Sequence, residues 1–166
     1  MRTRAVLVMG VSGSGKTTVG RALAETLGWA FADADDYHPE SNRQKMASGQ
    51  SLTDADREPW LFRLRGLIEA HLRADRPLIL ACSALKERYR QTLAQGLTGV
   101  EVVFLQGSRE LIAQRMQRRE HFMPVTLLES QLNTLEPPAN AITVDISEPI
   151  EAIVRRVVGQ LEALGD

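Results

Sequence analysis

Residues Gly10-Val11-Ser12-Gly13-Ser14-Gly15-Lys16-Thr17 fill every fixed position of G-x-x-x-x-G-K-[ST]. The chemistry this pattern serves is anion binding. Gly10, Gly13 and Gly15 permit backbone angles and close approaches that a Cβ would block. Successive N–H groups, among them those of Ser12, Ser14 and Thr18, can then line a phosphate cradle. The cradle opens a helix, whose N-terminus adds about half a positive charge. Lys16 is placed to reach β- and γ-phosphates, and the Thr17 hydroxyl to ligate Mg²⁺. The pattern predicts ATP with Mg²⁺ as the bound group.

A phosphate cradle alone leaves several functions open. A GTPase switch should carry Asn-Lys-x-Asp and Asp-x-x-Gly, and neither tetrapeptide occurs. A motor-type ATPase should end its third strand in an acid, but that strand runs into Cys82-Ser83. Acid falls instead after the second strand, at Asp33, Asp35 and Asp36. A carboxylate there can orient a substrate hydroxyl, accept its proton, or hold Mg²⁺ through water. This layout suits a small-molecule kinase better than a switch. The close alternative is the same chemistry on shikimate or another small metabolite, and a non-catalytic nucleotide-binding switch module is the alternative from a different class.

Three further groups carry chemistry. The polar segment from His38 to Gly49, followed by Asp54, Asp56, Arg57, Pro59 and Trp60, is a candidate phosphoryl-acceptor insertion over about 38–60. Lys86 and Arg90 lie four apart and share one helix face, beside phosphates or an acidic acceptor. Arg115 and Arg119 share another face ahead of His121. Mobile arginines of this kind stabilise charge on a transferring group. The plainer alternative for all three is a solvated surface. His121 lacks metal-ligand spacing to His38 or His71, so no zinc site is expected.

These residues must be positioned by alternating elements. Apolar runs at Ala5–Met9, Trp29–Ala34, Leu78–Cys82, Val100–Leu105 and Ala141–Asp145 read as strands. Helical patterns cover Lys16–Leu27, Pro39–Gly49, Lys86–Gln95, Glu110–Arg119 and Thr126–Leu135, with Ser108 as a cap for the fourth. A longer helical pattern runs from Trp60 to Leu72 and is ended by Pro77, and another follows Pro149. Alternation predicts an α/β fold with a parallel sheet covered on both faces, and ligands at the carboxyl ends of its strands.

Composition bounds the rest. The 166 residues fit one domain and a core without staples. A net charge of −1 argues against a broad nucleic-acid binder. Within that balance the cations are 17 Arg and 3 Lys, and Lys16, Lys45 and Lys86 all fall inside motifs. The single cysteine, Cys82, can form no internal disulfide and reads as a small core residue, which favours a cytoplasmic setting. Ala5–Met9 is shorter than the roughly 7–15 residues of a signal core, and no run approaches the roughly 20 of a membrane span.

The chain closely resembles the gluconokinases. The resemblance rests on Gly10–Thr17, Asp35, His38-Pro39, Asn42, Lys45-Met46, Asp54, Asp56-Arg57, Pro59-Trp60-Leu61, Cys82–Lys86, Tyr89-Arg90, Arg115, Arg119, Ser130-Gln131 and Leu135–Pro137. It implies a three-layer αβα, nucleoside-monophosphate-kinase-like fold with a five-stranded parallel sheet and a short lid at about 118–126. It also implies ATP-dependent phosphorylation of D-gluconate at the 6-hydroxyl, and a homodimer. By position, Lys16 and Thr17 hold phosphates and Mg²⁺, and Asp35 orients or deprotonates the acceptor hydroxyl. His38, Arg57, Lys86 and Arg90 are candidates for gluconate contacts, and Arg57, Lys86 and Arg90 also for transition-state charge, with Lys86 and Arg119 counted among the catalytic residues beside Lys16 and Asp35. Arg115 is implied at the adenine and Arg119 over the phosphates. Ala34 departs from the glycine expected between the acids, which matters only if that residue needs a positive φ.

Overall fold

β1 (Ala5–Met9) is buried at all five positions, as befits the centre of a sheet covered on both faces. In the computed structural model, which describes residues 2–117 and 125–165, five parallel strands form one sheet. β1 lies between β3 (Leu78–Ala81) and β4 (Val100–Gln106), with β2 (Ala30–Asp33) and β5 (Ile142–Asp145) at the edges, in the order β2-β3-β1-β4-β5. Leu7 sits opposite Leu80 on one side and Val102 on the other. The chain winds to one side of β1 and then to the other. The switch point therefore falls at the carboxyl end of β1, where the glycine motif begins.

The period of two along β1 sorts its side chains between two cores. Val6 and Val8 join Val19 and Leu23 of α1 (Lys16–Leu27) and Val157 of α7 (Ile150–Gly165). Ile112 and Met116 of α5 (Arg109–Gln117) and Leu128 of α6 (Val125–Thr134) extend the same core. Ala5, Leu7 and Met9 point the other way, onto Trp60, Leu64 and Ile68 of α3 (Asp54–Arg73) and Leu93 of α4 (Glu87–Ala94). This is the three-layer αβα arrangement expected from the alternation. Among the described residues, no helix is long and apolar enough to cross a membrane.

Among the boundaries that differ from the sequence pattern, two bear on function. The second strand stops at Asp33, and Ala34–Tyr37 form a 3-10 turn capped by Asp33, whose side chain accepts from Asp35 N at 3.0 Å. An acid that caps the turn after its own strand ends the ladder early. Ala34 is buried and is not among the described residues with positive φ, so the alanine fits this turn. The long helix starts before its apolar stripe, at Asp54, because Thr53 and Asp56 form a capping box. α2 (Glu40–Ala47) precedes it, and the two are tied where Asn42 Nδ2 donates to Asp56 O at 2.9 Å. The predicted insertion at about 38–60 thus consists of α2, a loop and the first two turns of α3. Most of the expected lid, 118–124, lies outside the described residues.

Candidate active site

The loop after β1 is built by close approach. A Cβ at residue 10 would stand 2.6 Å from Ser14 Oγ, and one at residue 13 would stand 2.7 Å from Met116 Cγ. Gly13 also has φ +85°, a backbone conformation that side chains penalise. Lys16 Nζ lies over the loop, donating to Gly10 O at 3.0 Å and Val11 O at 3.2 Å. Ser14 Oγ is buried with no hydrogen-bond partner among the described residues. A buried orphan hydroxyl within a glycine-built cradle fits a bound phosphate group.

A cleft of about 220 Å³ continues from this loop, lined by Gly15, Thr18, Arg115, Ile146, Ile150 and Ile153 among others. Its apolar wall, with Arg115 and Glu148 as its charged residues among those described, suits a planar heterocycle. Arg115 is held there by donating Nη2–H to Ile146 O at 2.6 Å. The expectation for Arg115 thus gains a place beside the cradle.

The three acids separate by what they touch. Asp33 Oδ2 accepts from Thr17 Oγ1 at 3.0 Å, and its Oδ1 caps the turn. Asp33 therefore stands at the hydroxyl that would ligate Mg²⁺. Asp35, two residues on, keeps solvent access but is partly desolvated by the surrounding protein. That partial desolvation, then the neighbouring Asp33 charge, push its carboxyl above the usual range, while Lys16 pulls it down. A carboxylate with raised proton affinity is suited to accept a substrate proton. Among the described residues no group of three or more His, Cys, Asp or Glu could hold a metal. A Mg²⁺ ion at Thr17 would keep several waters and take its other ligands from phosphate oxygens.

The acceptor side collects charge around one carboxylate. Asp54 accepts from Tyr89 OH at 2.5 Å, from Lys86 Nζ at 3.3 Å and from Arg88 Nη1 at 3.0 Å. Arg57 Nη1 lies 3.9 Å away and also donates to Tyr89 OH at 3.2 Å. The Tyr89 hydroxyl first, then Lys86, hold the Asp54 carboxyl below its usual range. Exposed ion pairs of this kind add little stability, so gathering three cations here needs another reason.

Two residues expected to contact the acceptor are placed otherwise. Arg90 is 6% exposed, and all five of its N–H groups are spent on Ala84 O, Leu85 O, Glu136 O and the Glu87 carboxylate. Helical spacing put Arg90 on the face of Lys86, but burial turns it inward and leaves no donor for a ligand. Its work is local. Ala84 has φ +44°, which costs roughly 1–2 kcal/mol for a non-glycine residue. Hydrogen bonds from a charged donor contribute about 1.5–3 kcal/mol each, more than enough to hold that turn. His38 is also buried and stacks on Trp60 at 4.2 Å between ring centroids, with Nδ1 facing Asn42 Nδ2 at 3.3 Å. Burial, then Arg43 and Arg57, lower its pKa to about 4, so the ring is neutral near pH 7 and walls the site. Lys45 pairs with Asp56 at 2.5 Å and locks the capping box, a structural duty. Cys82 is buried and its thiol is pushed up to about 12, which rules out a ready nucleophile. Arg119 lies outside the described residues.

One residue was not singled out as functional by its spacing. Gln131 of α6 accepts from Ser12 N at 2.6 Å and donates to Ser12 Oγ at 3.1 Å. Arg109 pairs with Glu129 and joins α5 to the same helix. Gln131 therefore holds the phosphate loop from the helix that follows the expected lid. Two neutral hydrogen bonds contribute on the order of 1–2 kcal/mol together. Gln131→Ala should raise the KM for ATP by about tenfold on that energy. Steady-state kinetics with varied ATP checks this, with a thermal melt to separate loop ordering from loss of fold.

A phosphate cradle at the switch point of a five-stranded parallel sheet, with Asp33 at the end of β2 reaching its Thr17 hydroxyl, defines a P-loop kinase. Residues 6–138 match the family model described as an AAA domain, and the chain belongs to that family of nucleotide-binding folds. It is 43% identical to a probable gluconokinase of Xenopus tropicalis over 95% of this chain and 93% of that one. It is 48% identical to a gluconokinase of Gluconobacter oxydans over 84% and 79% respectively. The solved gluconokinase of Sinorhizobium meliloti superimposes with a TM-score of 0.86 at 43% identity, covering 99% of this chain and 95% of that one. The chain belongs to the gluconokinase family.

Proposed function

We propose that this protein transfers the γ-phosphoryl group of ATP to the 6-hydroxyl of D-gluconate, giving 6-phospho-D-gluconate and ADP. The observation that carries the reading is the pairing of Thr17 with Asp33 at the mouth of the cradle, with Asp35 beside them. It joins a phosphate site to a carboxylate that can serve an acceptor hydroxyl.

The loop amides and Lys16 bind the β- and γ-phosphates and neutralise charge as it shifts to the leaving group. Thr17 would hold Mg²⁺ directly and Asp33 would do so through water. The ion would supply charge neutralisation on the phosphates. Asp35 accepts the proton of the 6-hydroxyl as its oxygen attacks phosphorus in line. Arg57 and Lys86 bind the gluconate carboxylate, and this cationic contact favours a sugar acid over a neutral sugar. Trp60 and Arg90 shape the wall and the Ala84 turn, and His38 presents a neutral ring to the acceptor. Arg115 packs on adenine; the role of Arg119 over the phosphates rests on the family resemblance alone. A homodimer in the cytoplasm completes the reading, supported by the family resemblance, and sedimentation checks the dimer.

A coupled assay for ADP release, run over gluconate, shikimate and other small hydroxy acids, tests the substrate. Gluconate should give the highest kcat/KM. A higher value with shikimate would move the protein to a different acceptor class.

A further inference from the structure

Asp54 has no necessary duty in its own helix. The helix start is capped by Thr53 and Asp56, and Asp56 is in turn paired with Lys45. Yet Asp54 draws Tyr89, Lys86 and Arg88 into hydrogen bonds and Arg57 to within 3.9 Å. One negative charge faces three positive ones, so the cluster keeps a surplus of about two positive charges and favours a second anion. The side chains of Asp54, Arg57 and Lys86 expose 36%, 30% and 30% of their surface, so a solute can reach them. The cluster also sits beside the reacting end of the fold. Lys86 follows β3, and Trp60 of the same helix donates Nε1–H to Ala34 O at 2.7 Å, next to Asp35.

We propose that Asp54 is an internal stand-in for the substrate carboxylate, holding Arg57 and Lys86 in place and yielding them when the acceptor's carboxylate arrives. This rests on the gluconate reading above. Both carboxylates offer the same two oxygens to the same cations. The exchange therefore replaces one exposed set of ion pairs by another, at little net cost. The acceptor's affinity is set by competition: Asp54 lowers it, and in return only a ligand carrying its own carboxylate can take the cations. Asp54 is thus a specificity-determining residue that works by opposing weak ligands.

Gluconate binding to the wild type, Asp54→Asn and Asp54→Ser, measured by isothermal titration, tests the proposal. Asparagine keeps the shape and loses the charge, and serine suits a helix start. Both variants should bind gluconate about two- to fivefold more tightly, the range expected for removing one exposed charge pair. The KM for gluconate should fall by the same factor while the KM for ATP stays put. D-glucitol, which lacks the carboxylate, should show no such gain. Weaker or unchanged gluconate binding in both folded variants overturns the stand-in, because Asp54 would then be supporting the site. Absence of gluconate binding in the wild type overturns the gluconate reading and the proposal together.

Discussion

Lys16→Ala is expected to lower kcat by about three orders of magnitude, equivalent to on the order of 4 kcal/mol of transition-state stabilisation. The ammonium is held over the loop by Gly10 O and Val11 O, at 3.0 and 3.2 Å. From there it meets charge that accumulates on the β–γ bridge as the bond breaks. Lys16→Arg should not rescue the rate, because a planar fork cannot replace a compact point charge in a closed cradle. Steady-state kinetics gives the rate, and circular dichroism tests the alternative. An unfolded Lys16→Ala variant would make the lysine structural and remove it from the mechanism.

Asp35→Asn is expected to lower kcat by about 10²–10⁴-fold, the usual worth of a positioned proton acceptor, with the KM for ATP largely kept. The pH dependence carries its own sign. Partial desolvation and Asp33 raise the carboxyl's proton affinity, so the base is ionised only above the ordinary carboxylate range. The acid limb of the kcat profile should therefore lie above that range and disappear in Asp35→Asn. Stability runs the other way. A carboxyl whose pKa is raised by folding favours the folded state at low pH, and that contribution is lost as pH rises through the folded pKa. The asparagine variant should then melt slightly higher than the wild type near pH 7, with the gain fading under acid. Solvent access to Asp35 keeps this gain small. A kcat that barely moves would transfer the role to Asp33 or Asp36.

Local patterns made much of this legible from the residues alone. The cradle is eight consecutive residues, and its geometry follows from glycine and lysine chemistry at fixed spacing. The buried strands show as apolar runs because each is covered on both faces. What stayed hidden depends on distant partners or on which face is buried. Gln131 meets Ser12 across 119 residues, and no local pattern announces that contact. Arg90 and Lys86 share helical spacing, but spacing does not say that the sheet lies under one of them. The start of α3 was missed because its capping box lies ahead of the apolar stripe. The three acids at the end of β2 look alike in sequence, and the Thr17 contact and the turn cap tell Asp33 from Asp35. Even the lysines divide, with Lys45 spent on Asp56 and Lys86 on the acceptor cluster.

The most direct test of the central claim is ³¹P NMR of the protein incubated with ATP, Mg²⁺ and D-gluconate. One new phosphomonoester resonance is expected, coupled to the C6 protons and growing in step with ADP, and none when gluconate is left out. ADP and inorganic phosphate appearing at the same rate with and without gluconate would contradict it.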